Sequence, residues 1–177
     1  MISFEDIKKE VDTNFPEISN EPLAIDYINF LVKHINLVNK YAEKIGKSYP
    51  DHDRSKYTQL FPAYCLTVKK DRTEEEQAAL DMATLIHVKT ASHHPEYWTK
   101  TDLTGFTRKN FTPNGVIDAT DMPQEAIDQM VCDWEAVGEV KGNSGLEWFN
   151  KINGTRWKFN AEQQMYIRLL IDKLENN

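Results

Sequence analysis

The sequence predicts an all-α protein, a single-domain helical bundle spanning residues 1–177. Three observations predict it. Capping-box pairs stand at Ser3/Asp6 and Thr73/Glu76, ahead of helical stretches. Apolar residues recur at spacings of three and four, as in Tyr27, Leu31, Val38, Tyr41 and Ile45. No stretch alternates apolar and polar residues as a half-buried strand would.

Taken in order, Ser3 and Asp6 open a short helix to about Val11, and a polar connection containing Pro16 follows. Pro22 suits the first turn of a long helix that ends at Gly46. The spacing of its stripe puts His34 on the core-facing side, where it is either a satisfied core residue or a ligand. Asp51, Asp53 or Ser55 can cap a helix running to about Lys70, which Pro62 kinks or splits. Thr73 starts a helix that carries residues 80, 83, 87, 91 and 94 along one face. His87 and His94 are then two turns apart on one side, and Pro95 ends the helix. Residues 99–121 hold Gly105, Pro113 and Gly115 without periodicity, and read as a long loop, either a lid or a solvated segment carrying Arg108 and Lys109. Pro123 opens a helix with Ile127, Met130, Trp134 and Val137 on its core stripe. Asp133 lies on a mostly apolar face and needs a partner, since an unpaired buried charge is costly. Ser144 and Glu147 cap a short helix, and Asn160 caps an amphipathic last helix through Leu174.

The chain carries 21 basic and 28 acidic residues, a net charge of −7. Such a balance disfavours non-specific nucleic-acid binding but leaves room for a local pocket for a small phosphate. Cys65 and Cys132 sit among apolar neighbours and form no Cys-x-x-Cys pair, so both read as buried small hydrophobes. No apolar run approaches the ~18 residues of a membrane span. The N-terminus lacks an apolar signal region, so the expected location is the cytoplasm, where the Asn153-Gly-Thr155 sequon is not glycosylated.

Chemistry-bearing residues are few and confined. Five histidines occur: His34, His52 followed by Asp53, His87, and the pair His93 and His94. Imidazoles with carboxylates are the donors of borderline divalent metals. The candidate metal ligands are therefore His34, His52, Asp53, His87, His93, His94 and Asp133. Their order resembles the HD superfamily of metal-dependent phosphohydrolases, α-helical proteins in which a helix histidine, a His-Asp dyad and a distant aspartate hold one metal. Further histidines between the dyad and the last aspartate hold a second.

A closer resemblance runs from about residue 25 onward, to the domain-of-unknown-function family 5662, small proteins of bacteria and tailed phages. It rests on His52-Asp53 with Ser55-Lys56, on Leu85 to Trp98 ending His-His-Pro-Glu-Tyr-Trp, and on Met122-Pro123. Met130-Val-Cys-Asp-Trp134 and Trp157-Lys-Phe-Asn160 with Glu162-Gln163 complete it. Arg54 and Pro95 depart from the family pattern and remove no candidate ligand.

The HD-like order implies an HD-domain-like bundle and a divalent cation (Mn, Fe, Co, Ni, Zn or Mg) that activates water against a phosphate ester such as a nucleotide. Lys56, one helical turn after Asp53, is a candidate phosphate contact or a solvated lysine. Glu96 is a candidate general base, or a group that orients a ligating histidine. A homo-oligomer is compatible with the sequence. The competing expectation is a non-enzymatic binding module that contacts a host component, braced by a metal or by a His/Asp polar network, and located in the host cytoplasm if phage-encoded.

Overall fold

The expected caps set several helix boundaries in the computed structural model, which describes residues 1–176. Helix α1 spans Phe4–Asn14, with Ser3 Oγ accepting from Asp6 N–H and the Asp6 carboxylate accepting from Ser3 N–H. Helix α2 spans Pro22–Glu43 and begins on its proline.

The helix expected up to Lys70 is broken. Helix α3 covers Ser55–Thr58, α4 covers Phe61–Cys65, and a 3-10 turn follows over Leu66–Val68. A continuous helix would drive the Pro62 ring into the Thr58 carbonyl, so the break falls at Gln59 and Leu60.

Helix α5 spans Glu74–Thr90, four residues short of the expected end, and a four-residue helix α6 runs over Pro95–Trp98. The reason is again proline. The ring of Pro95 would meet the Ala91 carbonyl in a continuing helix, and His94 is held extended at φ −100°, ψ 134°. His87 and His94 therefore do not share one helical face as the spacing suggested.

Helix α7 spans Gln124–Lys141 and ends at Gly142, whose φ of 72° needs a residue without Cβ. Helix α8 spans Gly145–Ile152; Ser144 Oγ accepts from Leu146 N–H, so its cap bond goes to Leu146 rather than into a box with Glu147. Helix α9 spans Ala161–Asn176, where Asn160 and Gln163 cap each other reciprocally. Two strands that the sequence did not reveal complete the fold. Strand β1 (Ile117–Asp118) pairs in parallel with β2 (Trp157–Lys158), Ile117 opposite Trp157. Two residues are too few to show alternation.

Helix α2 is the axis of the molecule. Its first half places Tyr27, Ile28, Leu31 and Ile35 in one cluster with residues of α1, α3, α4 and the middle of α5. Its second half packs Val38 and Ala42 against a larger cluster built on α7, α8 and α9. His34 sits at the seam. Within 99–121, Leu103, Phe106, Ile117 and Ala119 are buried in that larger cluster, which anchors the segment at several points. No helix of the described residues is long and apolar enough to cross a membrane.

Candidate metal centre

Asp53 is the pivot of the site. It is the one non-glycine among the described residues with positive φ, at 60°. Aspartate tolerates this left-handed conformation better than most residues, and such outliers persist where the surroundings hold them. The turn drives its carboxylate inward, where it is 3% exposed. Oδ2 lies 3.3 Å from His34 Nε2 and 2.6 Å from Lys56 Nζ. Oδ1 lies 3.1 Å from His87 Nε2 and 3.7 Å from His93 Nε2. One carboxylate thus faces two sets of imidazoles.

On the first side, His34 comes from α2, His52 from the turn before α3, and Asp133 from α7. His34 Nε2 is 3.2 Å from Asp133 Oδ1 and 3.2 Å from His52 Nε2. These imidazoles are the partners Asp133 required. On the second side, His87 lies near the end of α5, and His93 and His94 lie on the corner before α6. His94 Nε2 stands 3.0 Å from His87 Nε2. Trp98 closes the corner by donating from its indole N–H to the Ser92 carbonyl, 2.8 Å away. The sets His34/His52/Asp53, His52/His93/Asp133 and His87/His93/His94 each bring their donor atoms within 4.8 Å of one another. All seven candidate ligands meet in one place.

The outer ring nitrogens are held as well. Ser55 Oγ sits 2.9 Å from His87 Nδ1, and the Gln129 amide nitrogen, Nε2, sits 2.9 Å from His52 Nδ1. An amide can present nitrogen or oxygen; with Oε1 turned to Nδ1 it accepts the ring proton and leaves Nε2 free as a ligand. Gln129 was not singled out in the sequence, although it lies four residues before Asp133 on the same helix face.

Protonation suits a cation at His87, His93, His94 and the two aspartates, while His34 has to give up a proton to ligate. Burial holds His93 and His94 well below the usual histidine range, and neighbouring imidazoles push the same way. Burial also lowers His87, with Lys56 adding to it. Their lone pairs are therefore available at neutral pH. Burial would raise Asp53 and Asp133, but Lys56 and the histidines hold Asp53, and His34 and His52 hold Asp133, well below the usual carboxylate range. For His34, burial is outweighed by Asp133 and Asp53, which raise it to about 9. His93 Nε2 is buried without a hydrogen-bond partner, and Asp53 Oδ1, though 3.1 Å from His87 Nε2, makes no aligned hydrogen bond. Interior polar atoms are rarely left so, and a bound cation would satisfy both. The donor set fits a divalent metal of the borderline class.

Glu96 stands elsewhere than expected. It is fully buried, but Oε1 accepts from the Trp157 indole N–H at 3.0 Å and from Arg156 at 3.1 Å. Arg156 lies between the rings of Phe111 and Trp157, at 3.8 Å and 4.2 Å from their centroids. Glu96 thus braces the His93–His94 corner against β2, and a general-base role has no contact to support it. Nothing in the sequence marked Arg156 as its partner.

A pocket of about 420 Å³ reaches the centre past Ser48, Tyr49 and Ser92. Ser55 and Gln129 line it, while His34, Lys56, His94 and Asp133 do not. It therefore approaches from the side of the outer ring nitrogens.

The model of a family of unknown function, DUF5662, matches residues 24–175. The chain belongs to this family. The match covers every candidate ligand, so the whole His/Asp cluster lies within the DUF5662 region. No curated protein and no solved structure matches the chain.

Proposed function

We propose that this DUF5662 chain is a metal-dependent phosphohydrolase of HD-like type acting on a nucleotide or another small phosphate ester. The observation that carries the reading is the Asp53 carboxylate shared between two imidazole sets, with Oδ1 and His93 Nε2 otherwise unpartnered. His34, His52, Asp53 and Asp133 would hold one cation; His87, His93 and His94 would hold a second, with Asp53 between them. Bound divalent metal supplies a water of lowered pKa and polarises a phosphoryl oxygen.

The chain's own groups do the rest. Lys56 Nζ, 2.6 Å from Asp53 Oδ2 and partly exposed, offers a point charge to an entering phosphate. Gln129 and Ser55 fix the rings of His52 and His87, so the donor atoms do not rearrange when substrate arrives. Water adds to phosphorus, the ester P–O bond breaks, and the alcohol leaves with a proton.

The test is to incubate the purified chain with Mn²⁺, Co²⁺ or Mg²⁺ and a panel of nucleotides. Phosphate release that is abolished in Asp53→Asn supports the reading; no release with any pair removes it.

A second reading is favoured by burial. His52, Asp53, His87 and His93 are 1–4% exposed, which suits a closed structural site in a binding module. Under that reading, chelation lowers the melting temperature while no ester is cleaved by the metal-loaded chain. Against it, the side chains of His34, Asp133 and Lys56 keep 11%, 18% and 19% of their surface open.

A further inference from the structure

Seven rings form a closed circuit that Asp53 and Lys56 tie together. His87 meets Tyr64 edge-on at 5.9 Å between centroids, Tyr64 stacks on Tyr27 at 6.2 Å, and Tyr27 stacks on Phe30 at 6.0 Å. Phe30 stacks on His34 at 6.2 Å, and His34, His52, His93 and His87 complete the circuit at 5.2, 4.5 and 5.7 Å. The Asp53 carboxylate reaches across it to His34 and His87. Lys56 Nζ joins Asp53 Oδ2, 2.6 Å away, to the Tyr64 ring, 5.3 Å away.

The circuit opens to solvent at one member. Tyr27, Tyr64, His52, His87 and His93 are buried, and the His34 side chain keeps 11% of its surface, but Phe30 is 49% exposed. Phe30 stands one turn before His34 on α2, so the two side chains share a helix face, and their rings are within 5° of parallel. The neighbours of His34 reach the surface as well: Asp133, 3.2 Å from it, keeps 18% of its side-chain surface, and Lys56 keeps 19%. Phe30 does not line the pocket that passes Ser48 and Tyr49, so it marks a second approach to the centre. Lys56 Nζ and His34 Nε2 both contact Asp53 Oδ2. A phosphate held at Lys56 therefore has the exposed ring of Phe30 one imidazole away.

We propose that Phe30 is a stacking platform for a nucleobase, and that the substrate is a nucleotide whose phosphate lies at the metal centre beside Lys56. Every base has a π face, and an exposed aromatic ring receives it with little regard to which base it is. The ring needs no rearrangement to do so, because Tyr27 and His34 already hold it from two sides. A phosphate ester without an aromatic group would leave Phe30 uncovered. Phe30 touches no reacting atom, so its role is to set specificity. The inference rests on the phosphohydrolase reading and names its substrate class.

The test titrates two phosphonates calorimetrically into the full Mn²⁺-loaded chain, for wild type, Phe30→Leu and Phe30→Trp. They are the analogues of adenosine monophosphate and of ribose 5-phosphate in which CH₂ replaces the ester oxygen, so no turnover intervenes. Wild type should bind the adenosine phosphonate about tenfold more tightly than the ribose phosphonate, in the range of one base–aromatic stack. Phe30→Leu keeps an apolar side chain beside His34 and should lose that preference. Phe30→Trp should keep or widen it. The readout is a ratio, so a general loss of affinity in a variant cancels. Equal affinity for the two phosphonates in wild type overturns the proposal, as does an undiminished preference in Phe30→Leu or a chain that binds neither. A preference that disappears in Phe30→Leu, in a chain that releases phosphate from no ester, upholds the platform while the phosphohydrolase reading fails. Ester cleavage without any preference that depends on Phe30 does the reverse.

Discussion

His94 Nε2 lies 3.0 Å from His87 Nε2, although the helix that carries His87 stops at Thr90. The chain turns a corner and returns the second imidazole to the first. That corner builds the His87/His93/His94 side of the centre. Replacing His94 by Ala should remove one of the two proposed metal equivalents and leave the one at His34, His52 and Asp133. Elemental analysis of the two proteins after identical loading checks this, and equal metal content would count against a second position.

Gln129 orients His52 without being a ligand candidate itself. Gln129→Leu should lower metal affinity by roughly 10–100-fold, the usual cost of losing a group that holds a ligating histidine. Gln129→Glu, which keeps an oxygen acceptor for the ring N–H, should bind at least as tightly as wild type. Competition against a chromogenic chelator measures both.

Glu96 is buried, and its partner Arg156, 18% exposed at the side chain, lies between the rings of Phe111 and Trp157. Arg156→Ala leaves the buried Glu96 carboxyl without its cation, which should cost about 3–5 kcal/mol in urea denaturation. Because Glu96 lies two residues beyond His94, metal affinity should fall in the same variant. A stability change under 1 kcal/mol would show that the pair is not the brace described.

Gly138 lies on α7 where a Cβ would come 2.6 Å from the Asn143 carbonyl oxygen. That oxygen is backbone, in the turn that caps the helix at Gly142, and cannot swing aside. Gly138→Ala should destabilise the chain by about 1–3 kcal/mol despite its better helix propensity. Thermal denaturation of the single variant decides it.

Glu135 gives a pH signature. Burial raises its carboxyl from 4.5 to about 7, and the nearby Glu175 charge adds to the rise while Lys44 opposes it. The unfolded chain thus releases this proton at lower pH than the folded one. The stability linked to the group is complete below about 4.5 and is lost as pH rises to about 7. Glu135→Gln should flatten that part of the stability profile, by on the order of 2–3 kcal/mol at pH 8 relative to pH 5. Denaturant midpoints of the two proteins across pH 4–8 provide the check; parallel profiles would rule the linkage out.

The sequence by itself determined the helices with their caps and the donor set of the centre. Capping and amphipathic periodicity are local, so Ser3, Thr73, Ser144 and Asn160 mark their helix starts without any tertiary information. The scarcity of histidine likewise fixed which imidazoles a metal could use. Prolines at 62 and 95 marked breaks, but the exact path around them did not follow, because a proline excludes helix without choosing what replaces it. Only the tertiary structure decided that Asp53 divides its two oxygens between His34 and His87, that Glu96 turns to Arg156, and that Arg108 reaches α5. Those relationships join residues 19 to 60 positions apart in sequence. They depend on how α2 packs against α7, on how α4 packs against α5, and on the left-handed turn at Asp53, and local side-chain patterning carries no record of these.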